Sequence, residues 1–274
     1  MKIGFNGAST MKTDLPGDIR AAAGTGYDLI EIWARKMEAY LLDHSLDDLK
    51  KLLAEARLRP LAINSVEFVT FNAPWEKANT MNLIARYARM ADHLDCPFIV
   101  LVPSPRPEGA TGRAVFDESV QVLLEISDRF KGHRVRFAFE FLGFGWCSVS
   151  TLEEDFAIVR AVNRANIGMV LDTFHFYAGG SSIAAIRDTD PEKIFILHVN
   201  DAEALPKTEL QDAHRLFPGE GVIPLAEIAA NLKQIRYDGP VSLEMFRPAY
   251  WVRPPEEVAR QGIDAIRKFL GSAG

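Results

Sequence analysis

A chain of 274 residues is long enough to bury a large core, either as one big α/β domain or as two smaller ones. Its 31 basic and 37 acidic side chains leave a formal charge of −6, and no Lys/Arg-rich cluster relieves it. That balance argues against a nucleic-acid or anionic-membrane surface. No window approaches the apolar length of a spanning helix, and the N-terminus lacks the apolar region of a signal peptide. The two cysteines, Cys96 and Cys147, match neither a disulfide framework nor a metal motif. A soluble protein of the cytoplasm is the expectation.

The first strand is predicted at Lys2–Asn6, followed by a helix over Asp14–Gly24 that ends at glycine. Tyr27–Trp33 reads as a second strand, with Glu31 set among apolar neighbours. Ser45 suits the N-cap of a helix Leu46–Ala56, and Asp48 stands where a capping box needs it. Strand three is Pro60–Val66, and the helix after it runs from the Pro74–Trp75 region to about Leu94. Pro97–Val102 gives strand four, then a proline-rich loop, Pro103–Gly112, and a helix Ala114–Phe130. Strand five is Val135–Phe141, and helix Leu152–Val162 follows. The run Ile167–Asp172 is apolar throughout until its last residue, as in a strand buried on both faces. A short helix Ser181–Arg187, strand seven at Lys193–Asn200 and a long connection Asp201–Ile223 come next. Long connections of this sort are often functional. Helix Leu225–Ile235, strand eight at Pro240–Phe246 and helix Pro255–Leu270 close the chain.

Eight strands alternating with eight helical stretches, with no linker between them, predict an α/β fold of the (β/α)₈ TIM-barrel type, one domain over residues 1–274. The competing doubly wound sheet needs a glycine fingerprint in the first βα turn, and FNGAST has one glycine where three are wanted.

In such a barrel the active site lies where the βα loops converge. Glu140, Asp172, His198 and Glu244 fall near the ends of predicted strands five to eight, and adjacent strands are about 5 Å apart. Each of these residues taken alone has an ordinary reading, as a solvated rim carboxylate or a hydrogen-bonded core histidine. Together they form a ligand set suited to one divalent ion, Mn²⁺, Mg²⁺, Co²⁺ or Zn²⁺. Without a cation, three carboxylates so close would force at least one to protonate.

The blocks FNGAST, DHSLDDL, RPLAIN, VLDTFHF, PGEGVI and SLEMFRP resemble the xylose-isomerase-like barrel superfamily of isomerases and epimerases. Within it the likeness is to the inosose isomerase branch, and it runs over nearly the whole chain. The resemblance implies a divalent metal on Glu140, Asp172, His198 and Glu244. It also implies a small polyhydroxylated ketone as substrate, with the carbonyl moved to the neighbouring carbon through an enediolate. Glu140 and Glu244 are then the candidate acid and base. His175 and Arg215 match residues that contact substrate in similar epimerases, so His175 joins the catalytic candidates. Arg247 is a candidate for orienting a ligand or binding substrate, and Glu31 for accepting bonds from substrate hydroxyls.

The tryptophans Trp33, Trp75, Trp146 and Trp251 all follow predicted strands. They suit ring contact, loop packing or the interface of a homo-oligomer equally well. Trp146 stands where sugar epimerases carry a further glutamate, which argues against ketohexose 3-epimerisation. Three alternatives stay open at this point: a metal-dependent dehydratase of a ring ketone, an abasic-site nuclease and a metal-free sugar-binding protein. The nuclease reading is weakened because His44, His93 and His133 fall in or beside helices.

Overall fold

The computed structural model describes residues 1–271. Eight parallel strands close into a barrel: β1 (Ile3–Asn6), β2 (Leu29–Trp33), β3 (Arg59–Val66), β4 (Phe98–Leu101), β5 (Arg136–Glu140), β6 (Ile167–Asp172), β7 (Ile194–Val199) and β8 (Val241–Leu243). Each pairs with its sequence neighbour, and β8 closes the ring on β1, with Gly4 opposite Ser242. The helices α1 (Leu15–Thr25), α2 (Ala34–Tyr40), α3 (Leu46–Glu55), α4 (Pro74–Leu94), α5 (Gly112–Arg129), α6 (Leu152–Val162), α7 (Thr173–Ala178), α8 (Ile183–Asp188), α9 (Leu225–Gln234) and α10 (Pro255–Gly271) fill the connections.

The strands are nearly all apolar because both faces are covered. One set of their side chains, Phe5, Ile99, Phe137, Met169 and Leu197 among them, packs with the helices. The alternate set forms a second, separate core that includes Leu29, Ala62, Val100, Ala138, Val170 and Ile196. This inner core is stoppered by Phe98 stacked on Phe195, centroids 5.1 Å apart, with the Arg136 guanidinium over both rings. Gly168 makes the room, since a Cβ there would lie 2.5 Å from the Phe195 ring.

Two residues further along each strand the inner face turns polar. Above Gly4, Leu29, Ala62, Ala138, Val170, Ile196 and Ser242 stand Asn6, Glu31, Asn64, Glu140, Asp172, His198 and Glu244. Only β4 continues with an apolar residue, Val102, just past its end. The period-2 alternation of a strand puts all of these on one level of the lumen.

Two helices were not foreseen. The segment after Trp33 coils at once into α2, burying Ala34 and Met37. The segment after Asp172 becomes α7, with the Asp172 side chain as its N-cap. Strand β8 is shorter than predicted, because the Met245 N–H bonds to Ser9 Oγ rather than to a neighbouring strand. The long connection Asp201–Ile223 contains a two-residue antiparallel pair, Asp201–Ala202 against Arg215–Leu216. Asp201 organises it. One carboxylate oxygen accepts from Gly219 and Gly221, and the other accepts from Ala202 and Ile223. Gly221 passes so close that a Cβ would sit 2.1 Å from the Ala202 carbonyl, and Gly219 has φ +88°, which together explain the PGEG sequence.

Candidate active site

Four strands deliver Glu140, Asp172, His198 and Glu244 to one point, and a ligand atom from each lies within 4.8 Å of all the others. His198 Nδ1 faces Glu140 Oε1 at 2.9 Å, Glu244 Oε2 at 3.3 Å and Asp172 Oδ2 at 3.8 Å. All four residues are buried. Burial opposes a charge on His198, but Glu244, Glu31 and Glu140 outweigh it and raise its pKa well above the usual value. Burial, with the charge of Glu244 beside it, pushes Glu140 up to about 8. Asp172 goes the other way: burial works against its charge, yet Arg215, His175 and His198 hold it below the ordinary carboxylate range.

The D-x-x-H spacing has a local cause. Asp172 Oδ1 accepts the His175 backbone N–H at 2.8 Å, capping α7 and turning the His175 ring back over the cluster. Asp172 Oδ2 is left to accept from Arg215 Nη1 at 2.7 Å and Asn200 Nδ2 at 2.9 Å. His175 Nε2 is 2.9 Å from Arg215 Nη2. Arginine can only donate, so the ring hydrogen is on Nδ1, which has no partner within the protein. Burial, aided by Arg215, lowers the His175 pKa to about 4, so this ring is neutral.

A second ring of side chains holds the first. Glu244 Oε1 accepts from Asn6 at 2.9 Å and from Asn64 at 3.1 Å, and its Oε2 accepts from Arg215 at 3.2 Å. Glu31 accepts from His198 Nε2 at 3.0 Å. Asn6, Asn64 and Asn200 were missed in the sequence, although the first two occupy the same inward level as the ligands.

A cavity of about 280 Å³ opens above the cluster, and Glu140, Glu244, His175 and Arg215 reach its wall. Aromatic rings share the remaining lining with polar residues, among them Arg35, Asn64, Glu67 and Asp212. Trp33 and Phe246 meet edge to face on one side, and Phe68, Phe144 and Trp146 form the other. Trp75 is on the surface and Trp251 donates to the Ala8 carbonyl, so neither joins this wall.

Two candidate substrate-binding residues stand elsewhere than expected. Glu31 is fully buried beneath the cavity with its carboxylate on His198. Arg247 points into the long connection, pairing with Glu203 at 2.6 Å and bonding the Ala213 carbonyl. It steadies the segment that carries Arg215 and does not line the cavity.

The residues fit a divalent ion. Glu140, Asp172 and Glu244 crowd one buried point beside His198, with Arg215 paired to two of them, and the donors are carboxylate oxygens and an imidazole nitrogen.

A closed parallel barrel with this cluster at its mouth is the architecture of a family of metal-using isomerases and their relatives. The chain belongs to the xylose isomerase-like TIM barrel family, whose model matches residues 19–269. It is 38% identical over 269 residues to the inosose isomerase of Halalkalibacterium halodurans, covering 96% of this chain and 94% of that one. It superposes with a TM-score of 0.97, at 34% identity and over 100% of this chain and 99% of the other, on the crystal structure of the IOLI protein with a binding zinc atom. A more distant relative is the 3-dehydroshikimate dehydratase of Pseudomonas aeruginosa. It is 30% identical over 93% of this chain, which spans only 39% of the dehydratase.

Proposed function

We propose that this chain is a divalent-metal-dependent isomerase of a cyclic polyol ketone, moving the carbonyl of 2-keto-myo-inositol to the adjacent carbon to give 1-keto-D-chiro-inositol. The observation that carries the reading is the buried four-residue cluster at the base of an aromatic-walled cavity, in a chain 38% identical to an inosose isomerase. Glu140, Asp172, His198 and Glu244 are the residues that would hold the ion, Mn²⁺, Zn²⁺, Co²⁺ or Mg²⁺. Bound there, a divalent ion supplies the Lewis acidity that makes a proton beside a ketone removable at neutral pH.

The side chains supply the rest. Glu140 has one oxygen on His198 and faces the cavity, so it is the freer carboxylate. It takes the proton from the hydroxyl-bearing carbon next to the ketone and returns it to the former carbonyl carbon, through an enediolate, while the proton of that hydroxyl passes to the former carbonyl oxygen. Glu244, tied by donors on both oxygens, is the fixed partner across the site. The Nδ1–H of His175 is a donor with no protein partner, placed to steady a substrate oxygen. Trp33 and the facing aromatics pack on the C–H faces of the ring and keep water from the enediolate.

The dehydratase relative supports a second reading, because removing the same proton can be followed by loss of a β-hydroxide. Incubating the Mn²⁺-loaded enzyme with 2-keto-myo-inositol in heavy water separates the two by NMR. Isomerisation gives deuterium beside the carbonyl and a new ketone, whereas dehydration gives an enone absorbance. Absence of both exchange and a new ketone sinks the proposal. The acidic net charge supports a small dissolved ketone as partner rather than nucleic acid. Among the described residues no helix is long and apolar enough to cross a membrane.

A further inference from the structure

The ligand cluster comes from β5 to β8, and the facing strands β1 to β3 contribute Asn6, Glu31 and Asn64. The two asparagines reach Glu244. Glu31 reaches a different target. Its carboxylate oxygens lie 3.0 and 3.1 Å from His198 Nε2, with Asn64 at 3.4 Å and the Ser242 hydroxyl as weaker company. The imidazole therefore spans the lumen between two carboxylates, with Glu31 on Nε2 and Glu140 at 2.9 Å from Nδ1. Glu31 has no exposed surface and does not line the cavity, so substrate hydroxyls do not meet it.

We infer that Glu31 is a positioning residue for His198, and that by accepting the Nε2–H it commits the ring to coordinate a metal through Nδ1. The inference rests on the metal-site reading above. A neutral imidazole has one hydrogen and two nitrogens, and whichever nitrogen carries the hydrogen cannot be a ligand. A buried carboxylate on Nε2 accepts that hydrogen and stabilises it there, leaving the Nδ1 lone pair toward Glu140, Asp172 and Glu244. It also pins the ring plane, because flipping the ring would turn carbon atoms toward Glu31 and the cluster. An outer carboxylate of this kind typically changes metal affinity or activity by roughly 10- to 100-fold. Without it, Nε2–H has no acceptor, and both tautomers and both ring orientations become accessible.

The test uses the full chain with isotopically labelled histidine and spin-active Cd²⁺ as the probe, read by long-range proton–nitrogen NMR. Wild type is expected to show cadmium coupling on His198 Nδ1 and a protonated Nε2. Glu31→Gln keeps an acceptor oxygen and should keep the Nδ1 signature. Glu31→Ala should spread the coupling over both nitrogens and lose roughly 10- to 100-fold in Cd²⁺ affinity by chelator competition. Cadmium on Nε2 in wild type overturns the inference while leaving the metal site standing. So does a folded Glu31→Ala with wild-type affinity and an unchanged Nδ1 signal. Wild type that binds no cadmium overturns the metal-site reading and this inference with it. The wild-type spectrum alone decides the coordinating atom, so the test survives a variant that does not fold.

Discussion

Arg215 has five N–H bonds on three nitrogens, and each nitrogen is engaged within the protein. Nε and Nη2 go to Asp212, Nη1 to Asp172 and Glu244, and the second Nη2 hydrogen to His175, while Phe174 and Phe246 cover the two faces of the guanidinium. A sequence reading sees an arginine in a long loop and assigns it to substrate. The fork is engaged at each of its nitrogens, which suits a holder of carboxylates and of the His175 ring. The two roles separate kinetically. Arg215→Lys keeps the charge but has no planar fork, so it cannot bridge Asp172, Glu244 and His175 together. Steady-state kinetics with the inosose should show kcat falling by roughly 10- to 100-fold with KM little changed. A raised KM at normal kcat would return Arg215 to direct substrate contact. The ligands themselves were readable because an ionisable residue ending an apolar strand is costly without a partner. Asn6 and Asn64 carry the same positional signal, but a neutral amide there looks like an ordinary cap, and their bonds to Glu244 join residues more than 170 positions apart.

At the scale of elements, the strands were legible as short continuous apolar runs and the longer helices by their hydrophobic period, and the short connections were not. Helix α2 spans only Ala34–Tyr40, and its role appears in one side chain. Lys36 donates to the carbonyls of Gly7 and Thr10 and to Asp18 Oδ2 at 2.7 Å, so it locks the turn after β1 to α1 and α2. Asp18 is fully buried and also accepts from Thr10 Oγ1 at 2.6 Å. Such a pair stabilises less than its geometry suggests, because both charges leave water, but breaking one side of it is expensive. Lys36→Met leaves a buried carboxylate with one hydroxyl and should lower unfolding stability by about 3–5 kcal/mol in urea titration. Adding Asp18→Leu to it should recover much of the loss, since the apolar pair needs no compensation. Equal destabilisation of the single and double variants would show that the carboxylate is not the source. The turn locked by this pair follows directly from Asn6, so loosening it should be felt at Glu244 as well.

For the whole molecule, the barrel sorts its lumen by height, apolar below and polar above, and the alternation along each strand sets that level. What the alternation does not reveal is the balance of charge across it. Glu31, Glu140, Asp172 and Glu244 share the upper level with Arg215 and His198, and burial pushes Glu140 up to about 8 rather than letting it ionise freely. This arrangement stores repulsion in the native state that a cation removes, and an unfolded chain has no such cluster to relieve. A divalent ion that binds the folded chain alone should therefore stabilise it by mass action, by about 2.7 kcal/mol at a hundredfold excess over Kd. For a protein of this size that corresponds to a rise in Tm of roughly 5–10 °C. Calorimetry with Mn²⁺ or Zn²⁺ should show this increment, and EDTA should return the transition to its starting point. Asp172→Asn removes a ligand and the acceptor for Arg215 together, so its Tm should hardly respond to either treatment. A wild-type Tm indifferent to both ion and chelator would mean that the carboxylates are already balanced within the protein, with protons or Arg215 doing what the ion was assigned to do.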